Sequence, residues 1–497
     1  MNIPLLTCLA VVAAAALVPA ARAETAALKP CRLKGVEHEA LCGHVVRPLD
    51  PAAPAGRTIE VHFAVLPALA RNKKSDPVFF FAGGPGQSAI TLAGPMSRQL
   101  ARFTNRRDVV LIDQRGTGRS APLVCEADEP TRPLRETADP EFQFAELKRC
   151  REALQKLPHG DLRQYTTTIA MADADAVRRA LGAEQVNLMG GSYGTRAVLE
   201  YLRQFPQAVR RAVIDGVAPP DMVLPVSFST DAQASFDALL AACEAEPGCR
   251  GRYPQLRAQW AALLAGLPRS VTVPHPVTGR DETLTVTRDM VTSLVRMPLY
   301  VPALASALPF AVSEAAQGRF VPLAGVAGAM NGGRDSAMRL AMGMHFSVVC
   351  TEDWPRVAAA TDKPGADFGG SFTDLYRRVC DGWPRGVVPA EFYRMPVAPA
   401  PVLVLSGGID PVTPPRHGER AAMALGAKAR HIVVPNAGHG VMPIGCMRDV
   451  VFRFIDAADD DVALKVDAAC AQAIPRPPAF SPVAPAAAAA SAAGGTR

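Results

Sequence analysis

Residues 185–202, QVNLMGGSYGTRAVLEYL, admit few folds. The apolar run from Val186 to Met189 reads as a short strand, a glycine turn follows, and the residues after it carry helical spacing. Within the turn, Gly190-Gly191-Ser192-Tyr193-Gly194 matches G-x-S-x-G, a nucleophile elbow when a strand precedes it and a helix follows. The outer glycines answer a steric demand, because side chains two residues either side of a strained serine collide across the turn. Such a turn lifts the Ser192 hydroxyl clear of a sheet. It also sets that hydroxyl at a helix N-terminus, where free N–H groups favour a developing oxyanion.

The rest of the chain supplies a sheet for this elbow. Residues 58–66 (TIEVHFAVL), 77–82 (PVFFFA), 108–113 (DVVLID) and 211–215 (RAVID) read as strands, most of them apolar throughout. A helix is expected over 166–181, with Ile169, Ala172, Ala176, Val177 and Ala180 at helical spacing and Gly182 as its stop. Buried strands alternating with helices predict an α/β fold with a mostly parallel, doubly wound sheet. From about 221 to 396 the pattern turns mainly helical, with one strand-like piece near 282–287. Core-like strands resume at 400–406 and 429–434. The division expected is therefore a core part at 24–220, a helical cap at 221–396 inserted between core strands, and a second core part at 397–474. A Pro/Ala-rich tail at 475–497 is expected to be disordered.

Composition limits the partners. The 497-residue chain is 49% hydrophobic and 20% charged, which is globular, and its net charge of +6 comes without any Lys/Arg-rich run. No nucleic-acid partner is expected. Residues 1–23 read as a secretory signal, with an apolar run at 5–18 and Ala21-Arg22-Ala23 as the cleavage site. The run is too short, and too interrupted by Pro4 and Pro19, for stable membrane insertion, so the protein is expected to be secreted or periplasmic. Eleven cysteines are present, and setting Cys8 of the signal aside leaves ten. They fall in local pairs, expected to bridge Cys31–Cys42, Cys125–Cys150, Cys243–Cys249, Cys350–Cys380 and Cys446–Cys470. There is no C-x-x-C, no H-E-x-x-H and no His cluster at ligand spacing along the chain, so neither a metal nor a cofactor is expected.

In open α/β sheets the ligand lies beyond the carboxyl ends of the strands. Ser192 follows one strand, Asp410 follows APVLVLSGGID and His439 follows ARHIVVPNAGHG. The order Ser, Asp, His is that of an α/β-hydrolase triad. In those roles His439 takes the Ser192 proton, and Asp410 fixes the imidazole tautomer. The turn Gly83-Gly84-Pro85-Gly86 has no side chain to bar a substrate carbonyl. The oxyanion hole is therefore assigned to the N–H groups of Gly84 and Tyr193, Pro85 having none to give. Asp113, Arg115 and Arg119 are expected to shape the loop beside this turn as a structural Asp–Arg pair. The remaining histidines are read as surface or packing residues.

Five motifs together, GGSYGT, GGPGQS, DQRGTGRS, LSGGIDPVTPP and NAGHG, resemble the secreted tripeptidyl aminopeptidases, relatives of prolyl aminopeptidase among the α/β-hydrolase peptidases. The resemblance implies an α/β-hydrolase fold and an exported serine exopeptidase acting on peptides with a free N-terminus, with Ser192, Asp410 and His439 as its triad. Prolyl aminopeptidases carry HGGPG, and Ala82 stands where that histidine would be, which sets the chain nearer the tripeptidyl group. A free N-terminus needs a carboxylate to meet its ammonium. Glu352 and Asp353, beside Cys350 and Trp354 in the cap, are the expected substrate-binding pair. Two other classes remain open on the residues alone: an esterase or thioesterase with the same triad, and a non-catalytic binding protein on the same fold.

Overall fold

The structure is a computed structural model and describes residues 27–125, 129–330 and 339–482. The expected signal at 1–23 and the tail beyond 482 lie outside the described residues. Eleven strands are present among them: β1 (Lys29–Cys31), β2 (Ala40–Pro48), β3 (Thr58–Leu66), β4 (Val78–Phe81), β5 (Val109–Ile112), β6 (Val186–Gly191), β7 (Val209–Asp215), β8 (Arg269–Pro274), β9 (Asp281–Val286), β10 (Val402–Gly407) and β11 (Ala429–Val434). Nine form one sheet in the order β1-β2-β3-β5-β4-β6-β7-β10-β11, and β8 and β9 pair apart from it. From β5 to β11 every neighbour is parallel, while β1, β2 and β3 join as antiparallel strands at one edge. This is the α/β-hydrolase architecture expected from the sequence.

The composition of each strand matches its place. β4 (VFFF) and β5 (VVLI) are buried at every position, as parallel strands covered on both faces must be. Alternate residues fill opposite cores: Phe79, Phe81, Leu188 and Val402 pack on one face, and Val78, Phe80, Met189 and Leu403 on the other. β1, β2 and β8 carry no continuous apolar run, and the sequence reading passed over all three.

Between β7 and β10 lie helices and the β8–β9 hairpin, built around a core of their own that includes Phe236, Trp260, Val291, Leu308 and Phe368. Residues 475–482 have no regular structure, yet they are packed. The Phe480 N–H donates to the Ser306 carbonyl at 2.8 Å, Tyr253 Oη donates to the Phe480 carbonyl at 3.0 Å, and the Phe480 ring meets Phe310. The backbone of Phe480 ties this part of the expected tail to the inserted segment.

All five expected disulfides are present. Cys350–Cys380 joins the helices Met342–Glu352 and Ser371–Cys380 and is fully buried. Peptide mapping of the unreduced protein should find these five pairs and no free thiol among residues 27–482. Replacing Cys350 and Cys380 together by serine should lower stability to chemical denaturation by about 2–4 kcal/mol. An unchanged denaturation midpoint would mean that this bridge holds nothing in place.

Candidate active site

The elbow is built by close approach. A Cβ on Gly194 would lie 2.2 Å from the Phe81 carbonyl oxygen, and one on Gly190 would lie 2.3 Å from that of Gly194. No side chain fits at either position. Ser192 takes φ 55° and ψ −126°, a left-handed conformation costing about 1–3 kcal/mol for a residue other than glycine. Its backbone is held on both sides. The Ser192 N–H donates to the Asp215 carbonyl at 2.9 Å, and its carbonyl accepts from Thr195 N–H at 2.9 Å and Thr195 Oγ1 at 2.6 Å. The helix Tyr193–Gln204 begins at the next residue, so the Tyr193 N–H has no partner within the helix.

The Gly83–Gly86 turn lies against this serine: a Cβ on Gly83 would come 3.1 Å from Ser192 Cβ. The turn is braced by the segment inserted between β7 and β10. The Ala341 N–H donates to the Gly86 carbonyl at 2.8 Å, and His345 Nδ1 donates to the Pro85 carbonyl at 3.1 Å. Burial holds the His345 imidazole down to about 4, so it stays neutral, and its Nε2 accepts from Tyr376 Oη at 2.7 Å.

Asp410 and His439 meet beyond the ends of β10 and β11. His439 Nδ1 donates to Asp410 Oδ2 at 2.8 Å. Asp410 also accepts from the N–H groups of Val412 and Thr413 and from Thr413 Oγ1, at 2.8–2.9 Å. Burial pushes the Asp410 carboxyl up, but the His439 charge and these donors outweigh it, and it lies below the ordinary carboxylate value. For His439 burial pulls the other way, and the Asp410 carboxylate prevails and raises it.

Two residues at this site escaped the sequence reading. Asp215 ends β7 and accepts from the N–H groups of Val441 and Met442 at 2.8 Å, fixing the loop that carries His439. Burial pushes its carboxyl up to about 6, and its charge adds to the rise at His439. The signal was there: RAVID ends on an acid at the strand's carboxyl end, as DVVLID does. Tyr300, from the inserted segment, accepts the His439 N–H on its carbonyl at 2.9 Å and sets its ring edge-on to the imidazole, with centroids 5.1 Å apart. Nothing in its sequence context marks it.

Glu352 and Asp353, the pair expected to meet a substrate ammonium, lie inside the protein. Both are buried and already engaged by this chain. Arg196 donates to Asp353 Oδ2 at 3.0 Å and Oδ1 at 3.1 Å, and Thr167 donates to Glu352 through its N–H at 2.7 Å and its Oγ1 at 2.9 Å. An incoming ammonium would have to displace a bidentate guanidinium that sits in a dry site. The expected Asp–Arg pair near the oxyanion turn is also two separate devices. Asp113 accepts from Ser88 Oγ and the Ile90 N–H, while Arg115 forks onto Asp173 at 2.7 and 3.0 Å. At the antiparallel edge of the sheet, strand register brings together three groups that spacing along the chain does not: His44 lies opposite His62 and both reach Glu60, their ligand atoms within 4.8 Å of one another.

Burial pushes the Glu352 carboxyl up to about 7 despite Arg196 and Thr167. The folded-state value lies above the unfolded one, so its contribution is complete below the ordinary value of 4.5 and is lost as pH rises through about 7. E352Q cannot ionise there. The urea midpoint of the parent protein should therefore fall relative to E352Q between pH 5 and pH 8. A constant difference over that window would show that Glu352 does not change its protonation.

Comparison with known proteins follows the same lines. A family described as alpha/beta hydrolase fold matches residues 76–249, and one described as TAP-like protein matches residues 367–468. Serine protease Hip1 of Mycobacterium tuberculosis (strain ATCC 25618 / H37Rv) is 27% identical over 440 residues, which is 80% of this chain and 82% of that protein. Tripeptidyl aminopeptidase of Streptomyces lividans is 31% identical over 196 residues, 36% of this chain and 35% of that protein. A solved thermophilic esterase from Thermogutta terrifontis aligns at 15% identity and a TM-score of 0.36, over 84% of this chain and 99% of that one. The chain has the α/β-hydrolase fold with a TAP-like region at residues 367–468, and is similar to serine peptidases that include a tripeptidyl aminopeptidase.

Proposed function

We propose that this protein is an exported serine exopeptidase that releases short peptides, tripeptides foremost, from free N-termini. The observation that carries the reading is the 2.8 Å bond between His439 Nδ1 and Asp410, at the same sheet edge as the Ser192 elbow. That bond leaves Nε2 of the neutral imidazole as the base. In this reading Ser192 Oγ attacks the scissile carbonyl while His439 takes its proton. The Gly84 and Tyr193 N–H groups hold the oxyanion, at about 2.7–4 kcal/mol per donor. His439 then protonates the leaving amine, and water completes the cycle from the acyl-enzyme.

Residues 221–396 act here as a cap that limits how much peptide enters. Five disulfides support export to an oxidising compartment, secreted or periplasmic, and no helix among the described residues is long and apolar enough to cross a membrane. The Streptomyces lividans relative, named for tripeptide release, supports the substrate class.

S192A should abolish hydrolysis and leave the fold intact, and a fluorophosphonate should label the parent protein at Ser192. Labelling at another serine would sink the assignment. Since Asp410 holds His439 above the ordinary histidine value of 6.5, kcat/KM should fall with acid through an inflection above that value. D410N should move the inflection down and lower kcat by on the order of 10³–10⁴. Peptides with a free N-terminus should be cleaved and their acetylated forms should not. Equal cleavage of both would transfer the protein to the endopeptidase or esterase class.

A further inference from the structure

Arg296, on the helix Arg288–Leu299, is a buried arginine of an unusual kind in this chain. Arg107, Arg115 and Arg196, buried more deeply still, each hold a carboxylate: Asp76, Asp173 and Asp353. Arg211 is capped by the carbonyls of Phe454, Ile455, Ala457 and Asp459. Arg296 has neither kind of partner among the described residues. Its one hydrogen bond goes from a terminal nitrogen to Tyr300 Oη at 2.9 Å, and its Nε is buried with no acceptor.

Aromatic rings surround it instead. The guanidinium carbon lies 4.8 Å from the ring centre of Phe228, 4.9 Å from that of Phe372 and 5.5 Å from that of Tyr300. Ring faces offset part of the lost hydration, about 0.5–2 kcal/mol each. They accept no planar pair of hydrogen bonds, and a guanidinium does not shed its proton. A planar anion is the group this cage is shaped to take.

The cage adjoins the reacting centre. From the guanidinium carbon to the Tyr300 ring centre is 5.5 Å, and from there to the His439 ring centre is 5.1 Å. An extended peptide advances about 3.3–3.6 Å per residue, so the span covers at most about three residues. The field of Arg296 also reaches His439, where it opposes the effect of Asp410.

We propose that Arg296 is an anion site of the catalytic cleft, binding a carboxylate carried by the peptide substrate within about three residues of the bond that Ser192 attacks. The proposal rests on the peptidase reading for its substrate and names which peptides that site prefers. Two sources present the same chemistry: the free C-terminus of a short peptide, and an Asp or Glu side chain beside the scissile bond.

Matched peptide pairs separate them. One pair differs as C-terminal acid against amide, and further pairs carry Glu against Gln on either side of the cleaved bond. In the parent protein the anionic member of one pair should be preferred at least about tenfold in kcat/KM, mostly through KM, as expected of a charge-assisted hydrogen bond. R296M should bring that ratio close to one. R296K, which keeps the charge and loses the planar fork, should fall between them. Labelling of Ser192 by a fluorophosphonate confirms that each variant is folded. The proposal is overturned if no pair shows the preference, or if the preference survives in R296M. If no peptide is cleaved at all, the peptidase reading falls and the site is still read directly. Butyrate, and not butyramide, should then slow the labelling of Ser192 in the parent protein but not in R296M. Equal slowing by both compounds, or by neither, refutes the site.

Discussion

One buried ionic cluster joins the two halves of this molecule. Arg196 projects from the helix that starts at the elbow, and its acids, Asp353 and Glu352, come from the end of a helix in the inserted segment. Arg196 also donates to the carbonyls of Pro219 and Met222, where the chain leaves the sheet for the insertion, and Asp353 accepts the Leu224 N–H at the start of the first inserted helix. Glu352 continues the network through Thr167 to Tyr193 Oη. The residue whose N–H is assigned to the oxyanion hole is thus tied through its side chain to the insertion. Buried charges of this kind add little net stability over an apolar replacement, but removing one partner costs about 3–5 kcal/mol. Their effect is to fix one arrangement of core and insertion.

The parallel sheet was legible because its strands are buried on both faces and therefore apolar at every position. β4 and β5 could hardly be read otherwise. The elbow was legible for a steric reason, since only glycine clears the Phe81 carbonyl at Gly194. The antiparallel edge was not. β2 is half exposed and mixes His44, Arg47 and apolar residues, so its strand character comes from pairing with β3 rather than from its own pattern.

Asp410 and His439 could be expected to meet because each follows a recognisable strand, which fixes their position along the chain and in space, and their side chains are hydrogen-bonded. For Glu352 and Asp353 the sequence shows two acids beside a cysteine and a tryptophan, and not the Arg196 that meets them from far along the chain. A carboxylate's partner decides whether it faces a substrate or the interior, and that partner is set by tertiary packing. Arg296 lay unnoticed for the opposite reason. It sits in an ordinary amphipathic helix, and only the enclosing rings of Phe228, Phe372 and Tyr300 reveal that it lacks an acid.

The histidine of the site is held from both sides at once. From the sheet, Asp410 holds its ring and Asp215 holds the two backbone N–H groups that follow it. From the insertion, the Tyr300 carbonyl takes its own N–H, and a Cβ on Gly438 would lie 2.4 Å from that same carbonyl oxygen. The close fit requires glycine before the histidine, which accounts for the first Gly of NAGHG. The same insertion fixes the Gly83–Gly86 turn through Ala341 and His345. An enclosing segment that only covered the cleft could be deleted and leave a smaller working hydrolase. Here its removal would strip partners from His439, from the Gly83–Gly86 turn and from Arg196 together. The site is therefore a property of the joined halves, and the sheet alone supplies its order but not its geometry.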